Sequence, residues 1–345
     1  MSTKTIQKTE TIVYQPPTTG LVSWLPASWV PYAELMRLDR PGGFWALYVP
    51  CLFGVGYATS VSPVQPSPAL IADRTVTMLL CCLLARGAAC TWNDAVDKEF
   101  DKKVARCRVR PIARGAVAPF QAHVWATFQT AAIVLILLRL PAACMFYFLG
   151  IVLLSAIYPF SKRVTYYPQF VLGSVFSVTF LASVRSLDVD PLSKDTLAPS
   201  LCFFTANTIW TMIYDTIYAH QDVADDVHVG VKSMAVKFHD STKLLTSFLA
   251  FFMTAFLALT GVLAGLGPLY YVSAVGGSAV SLAATIALVD LADARSCGWW
   301  FSWGFLFVGG SILNGLVAES VCRSVGWAME PGMNVMNASW IHMDL

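Results

Sequence analysis

The stretch NDAVDKEFD, residues 93–101, carries four carboxylates and one Lys, and it follows the apolar run VTMLLCCLLARGAACTW without a spacer. Residues four apart share a helix face, so Asn93, Asp97 and Asp101 form one stripe, with Asp94 beside it. A second set, YDTIYAHQDVADD, supplies Asp215, Asp222, Asp225 and Asp226, and Asp222 and Asp226 are again four apart. Carboxylate clusters without His or Cys select Mg²⁺ or Mn²⁺ over zinc or copper. Mg²⁺ commonly binds through one or two carboxylates plus substrate phosphate oxygens, not in a closed protein cage. Two such stripes therefore point to Mg²⁺ shared with a diphosphate. The run KKVARCRVRP follows at once, with Lys102, Lys103, Arg106, Arg108 and Arg110. Arg forks bind phosphate bidentately. The four-residue spacing of Arg106 and Arg110 predicts that they lie together on a helical extension. Lys162 and Arg163 fall in a predicted short loop bounded by Pro159 and Pro168, where the pair serves membrane topology or makes a further diphosphate contact.

The elements that must hold these residues are membrane helices. Of 345 residues, 56% are hydrophobic and 13% charged, about half the charged fraction of an ordinary soluble domain. Apolar runs long enough to span a bilayer recur near 43–60, 76–92, 119–140, 142–160, 169–186, 198–219, 242–264, 268–290 and 297–321. A soluble helical protein does not need so many. With residues 1–42 on the cytosolic side, nine crossings place seventeen of the 23 Lys and Arg there, counting Lys243, against five opposite. That asymmetry satisfies the positive-inside rule, and it puts both acidic clusters on the cytosolic face. The net charge of +2 gives no footprint for nucleic acid. The nine cysteines lie mostly within apolar runs, with neither zinc-ligand nor disulfide spacing. Residues 1–32 read as a polar tail followed by an interfacial segment with Trp24, Trp29 and Tyr32 at headgroup depth; residues 33–322 form the membrane domain, and 323–345 a short tail. The N-terminal stretch has Glu10 and no Arg before Arg37, which argues against a mitochondrial transit peptide. Small-residue runs such as GLG and VGG in the last helices predict close helix packing.

NDAVDKEFD matches the NDxxDxxxD motif of the UbiA superfamily of intramembrane aromatic prenyltransferases, and QDVADD contains its DxxxD motif as Asp222–Asp226. The resemblance extends through MRLDRPGG, RPIARG, YPFSKR, PQFVLG and YDTIYAHQDVADDVHVGVKS, and covers roughly residues 33 to 320. It implies an all-α bundle of nine transmembrane helices around a central cavity, with the Asp motifs at a cytosolic mouth, a lateral opening for an isoprenoid tail, Mg²⁺ and an allylic prenyl diphosphate. Asn93, Asp94, Asp97, Asp101, Asp222 and Asp226 are then the metal ligands, and Arg106, Arg110 and Lys162 the diphosphate contacts. Asp215 orients the aromatic acceptor or takes its proton. Arg37 and Arg40 pair with an acceptor carboxylate or anchor the chain at the interface. Asn207 lines the cavity or hydrogen-bonds between helices. RLDRPGGFWALYVPCLFGVGYA resembles fungal members that prenylate polyketide-derived phenols in meroterpenoid pathways, for which farnesyl diphosphate is the frequent donor and an endomembrane such as the endoplasmic reticulum the expected location. The 4-hydroxybenzoate polyprenyltransferase of ubiquinone synthesis is the alternative within the family. A cation-coupled transporter, with acids near the bilayer midplane, is a distant third. Asn337 matches a glycosylation sequon. Oligomeric state and acceptor identity are not legible.

Overall fold

A computed structural model describes residues 13–40 and 42–325; Asn337 and most of the C-terminal tail lie outside the described residues. Among those residues there is no strand. Nine long helical segments follow one another: α1 (Gly42–Val61), α2 (Pro68–Val96), α3 (Pro119–Leu137), α4 (Cys144–Val164), α5 (Pro168–Ser186), α6 (Leu197–Ala219), α7 (Thr242–Ala264), α8 (Pro268–Leu288) and α9 (Ala294–Ser324). Pro at the first helical position starts α2, α3, α5 and α8, where its missing N–H costs nothing and its fixed φ suits the helix.

Eight of the nine are long and apolar enough to cross a membrane, and the chain is an integral membrane protein. The exception is α6, at 23 residues. Asn207, Thr208, Thr211 and Thr216 are buried along it, and it packs between α5 and α7. A helix surrounded by protein needs less apolar surface than one facing lipid, which accounts for its polarity. The expected nine crossings are thus reduced to eight helices that qualify by hydropathy and one that does not.

α1 and α5 form the centre: 78% and 72% of their apolar stretches are buried, against 17–39% in the other six. Their contact is close, because a Cβ on Gly54 would lie 2.4 Å from the Phe180 carbonyl and 2.6 Å from Ser183 Cβ. Around it Phe53, Tyr57, Phe180, Phe203, Trp210 and Phe305 form an aromatic core, with Phe180 stacked on Phe203 at 4.4 Å and Trp210 on Phe305 at 4.6 Å. The outer helices turn Phe128, Leu135, Phe146, Phe251 and Val272 outward, as helices bathed in lipid do. The small-residue runs divide by role. Gly277 packs against Ser311, whereas Gly265 ends α7 in the left-handed conformation at φ 61°.

Two boundaries differ from the hydropathy reading in ways that move the site. α2 begins eight residues before the apolar run, at Pro68, because the Ser67 hydroxyl caps it by accepting from the Leu70 amide, while Asp73 and Arg74 pair with each other within the helix. α4 continues through Pro159 to Val164, so Lys162 and Arg163 occupy its last helical turn and not a loop. Cations there favour the negative end of the helix dipole.

Candidate active site

The first acidic motif straddles a break in the backbone. α2 ends at Val96, Asp97 adopts φ −90° and ψ 6°, and a short helix Lys98–Asp101 follows. The Asp97 amide still bonds the Asn93 carbonyl and the Asp101 amide the Asp97 carbonyl, each at 2.8 Å, so the four-residue register survives. Asp222 likewise precedes the short helix Val223–Val229, and the Asp226 amide bonds its carbonyl at 2.9 Å.

Residues 102–117 form successive turns, not the predicted helical extension. Arg106 and Arg110 consequently go to different partners. Arg106 Nε donates to Asp222 Oδ1 at 2.9 Å, a second nitrogen of the same guanidinium bonds Oδ2, and Nη1 reaches the Tyr218 hydroxyl at 3.0 Å. Arg110 Nη1 donates to Asp101 at 2.9 Å and to Asp94 at 3.1 Å. Asp225 ties the two motifs together by accepting from the Ala105 amide at 2.9 Å.

Asp97, Asp101, Asp222 and Asp226 line one cavity of about 300 Å³, together with Arg106, Arg110, Tyr158, Lys162, Arg163, Asp215 and Lys232. Asp94 is not in its wall. It is 0% exposed and lies between Arg37, whose Nη2 donates to both carboxylate oxygens at 2.6 and 2.8 Å, and Arg110. Arg37 ends the helix Val30–Leu35 in a Schellman turn: its amide bonds the Glu34 carbonyl at 2.9 Å, and the Leu38 amide bonds that of Ala33 at 3.1 Å. The left-handed position of such a turn usually holds Gly, yet here Arg37 takes φ 59°. Left-handed backbone in a non-glycine residue costs about 1–2 kcal/mol, offset by the ion pair that it aims at Asp94. Asp97 accepts from Lys162 at 3.4 Å and Arg163 at 3.3 Å, and Asn93 accepts from Lys162 at 3.3 Å.

A second cavity of about 280 Å³ opens inward, lined by Ala46, Leu47, Ala85, Ala89, Ile151 and Phe176 at its apolar end. Arg110, Tyr158, Lys162 and Asp215 line both cavities. Asn93 and Arg37 belong to the inner one. Arg40 is exposed, paired with Asp39 at 3.1 Å, and lines a separate 180 Å³ recess with Arg37. Asn207 lines neither cavity; its amide donates to Ser177 on α5 at 3.0 Å.

Burial is the main electrostatic influence outside the spans. It pushes Asp226 up to about 7, with Asp222 adding to the effect. It pushes Asp101 up to about 6, although Arg110 pulls the other way. Groups held near neutrality bind a divalent cation by releasing a proton. Among the described residues no three carboxylate, thiol or imidazole groups cluster tightly enough to hold an ion by themselves. An all-oxygen donor set on one cavity wall, incomplete without substrate oxygens, fits Mg²⁺ carried on a diphosphate.

Sequence reasoning missed Lys232, Tyr158 and Tyr218 as cavity residues. Lys232 lies in the quoted GVKS run, and Tyr158 in YPFSKR, so motif position alone pointed towards both.

Comparison with known proteins agrees with the geometry. The model of the UbiA prenyltransferase family matches residues 47–309. Prenyltransferase ascA of Acremonium egyptiacum is 38% identical over 308 residues, 89% of this chain and 90% of that protein. The mitochondrial 4-hydroxybenzoate polyprenyltransferase of Saccharomyces cerevisiae is 37% identical over 289 residues, 81% of this chain and 74% of that one. A UbiA homolog from Archaeoglobus fulgidus, solved bound to DMAPP and Mg²⁺, superposes with a TM-score of 0.63 at 13% identity, covering 84% of this chain and 99% of that one. Helical bundle, paired acidic motifs and extended identity together place the chain in the UbiA prenyltransferase family, as an integral membrane prenyltransferase.

Proposed function

We propose that the chain transfers a farnesyl group from its diphosphate, with Mg²⁺, to a polyketide-derived phenolic acid in meroterpenoid biosynthesis. It does so in an endomembrane such as the endoplasmic reticulum, with the polar cavity facing the cytosol. The observation that carries this reading is the junction of two unlike chambers: one lined by five carboxylates and several cations, the other mostly apolar, sharing Arg110, Tyr158, Lys162 and Asp215.

The diphosphate lies in the polar chamber. Asp97, Asp101, Asp222 and Asp226 would hold Mg²⁺, which when bound neutralises the leaving diphosphate as a Lewis acid. Lys162, Arg163, Lys232 and Arg106 supply donors to its oxygens. Arg110 reaches the chamber from behind, held by Asp94 and Asp101, with Arg37 neutralising the other side of Asp94. In this assignment Asp94 is a positioning residue. The prenyl chain lies along the apolar end of the inner chamber, against Ala46, Leu47, Ala85, Ala89, Ile151 and Phe176. As the bond from the allylic carbon to the diphosphate oxygen breaks, Tyr214, which lines this chamber, can stabilise the positive charge by about 0.5–2 kcal/mol through its ring face, whereas Lys162 already lies 4.7 Å from the Tyr158 ring centroid. The aromatic ring carbon of the acceptor forms the new bond, and Asp215 at the junction takes the proton that the ring releases. Arg37 is placed to meet an acceptor carboxylate from the inner chamber. Arg40, outside it, serves at the interface, and Asn207 serves packing.

The test is incubation of membranes containing the full chain with Mg²⁺, farnesyl diphosphate and a panel of orsellinate-type acids, followed by product masses. A farnesylated acid is expected. Products carrying only geranyl or very long chains overturn the donor assignment. The similarity to the mitochondrial 4-hydroxybenzoate enzyme favours a second reading; mitochondrial residence with rescue of a ubiquinone-deficient strain would replace the first by that one.

A further inference from the structure

We infer that the inner face of α2 is a ruler for the length of the prenyl chain, with Ala85 as its gate and Met78 as its stop. The inference rests on the proposed placement of the diphosphate at the polar chamber.

From Asn93 at the chamber junction, α2 presents Ala89 and then Ala85 to the apolar cavity, each one step of four residues further in. Four residues of helix advance about 6 Å. An isoprene unit adds four carbon–carbon bonds of about 1.5 Å, each projecting about 1.25 Å along an extended chain, or about 5 Å in all. Steps and units therefore keep pace: the first unit lies beside Ala89, the second beside Ala85, and the third reaches Cys81 and Cys82.

The cavities support that reading at the third step. Leu47, Ala85 and Ile151, from three different helices, line both the apolar chamber and a smaller cavity of about 40 Å³ beyond it. Met78, Cys81 and Cys82 floor this inner space, and all three are buried. Its volume is about one seventh of the 280 Å³ of the apolar chamber, and its apolar wall offers water no partner. It suits the terminal methyl groups of a chain and cannot take a further unit. Ala85 lines both cavities with a single methyl group, whereas the larger Met78 side chain lines the inner one alone.

The experiment uses the full chain and compares geranyl, farnesyl and geranylgeranyl diphosphates, each with Mg²⁺ and one accepted phenol, scored by product mass. Thermal stabilisation by each diphosphate is read in parallel, so the comparison survives a weak acceptor. For Ala85→Phe the farnesyl-to-geranyl ratio falls about tenfold or more from its value in the unmodified chain, since even one methylene in an apolar pocket discriminates by about that factor. Ile151→Phe, from the facing helix, does the same. Met78→Ala raises the geranylgeranyl-to-farnesyl ratio. Ratios unchanged in Met78→Ala and in whichever of the two Phe variants folds overturn the inference. The ranking in the unmodified chain tests the farnesyl assignment separately, so either can fail alone.

Discussion

Asp94→Asn separates two accounts of the first acidic motif. By motif, Asp94 is a metal ligand; by geometry, it is a counter-ion sealed between Arg37 and Arg110. Asn keeps the shape and removes the charge. Three hydrogen bonds at 2.6, 2.8 and 3.1 Å lose their ionic acceptor, and the new amide N–H₂ faces guanidinium donors. Removing one member of a buried pair costs about 3–5 kcal/mol. The Arg37 side chain is 14% exposed, and Arg110 retains Asp101, so the lower figure, about 3 kcal/mol, is expected. Without its partner the left-handed backbone of Arg37 is offset only by the hydrogen bonds of the turn itself, and the Val30–Leu35 helix end loosens with it. Arg110 loses one of the two carboxylates that aim it at the chamber. In detergent, thermal denaturation should therefore fall by several degrees and the rate of diphosphate release should drop. The half-saturating Mg²⁺ concentration should stay within about twofold, since the ligands themselves are untouched. Unchanged stability together with a tenfold rise in that concentration would refute the reasoning and return Asp94 to the metal.

Three further outcomes follow from the same geometry. Asp226 and Asp101 titrate near 7 and 6 and a cation takes only their ionised forms, so half-saturating Mg²⁺ should fall as pH rises through that window. Without metal the sign reverses: both groups hold protons more tightly folded than unfolded, so stability declines as pH climbs from about 4 towards 7, a slope that Mg²⁺ with diphosphate should remove in melting curves. Arg106→Lys keeps the charge but loses the fork that spans Asp222 and Tyr218; diphosphate affinity measured by titration should weaken about tenfold, with Arg106→Ala worse. Gly54→Ala drives a methyl into the Phe180 carbonyl, and overpacking of this kind costs about 1–3 kcal/mol, visible as a lower melting temperature in a variant whose site residues are unchanged.

The membrane helices were legible because hydropathy over a bilayer thickness is a local sum, and eight segments carry it. α6 shows the limit of that sum: it packs between α5 and α7, and its buried threonines and Asn207 blur the signal. The acid stripes were legible for a similar reason, since the four-residue register depends on backbone geometry within a single turn and survived the break at Asp97. The turns of residues 102–117 were not, because basic residues are compatible with helix and turn alike, and the choice was made by partners elsewhere.

The sequence alone determined residue chemistry and spacing: oxygen ligands in two sets, cations after the first, and enough apolar length to enclose an isoprenoid. Tertiary structure decided which acid meets which base. Arg37 reaches Asp94 across 57 residues, Arg106 reaches Asp222 across 116, and Asp225 reaches the Ala105 amide across 120. Such pairings are set by how whole helices pack side by side, a property of the assembled core that no short window of sequence contains.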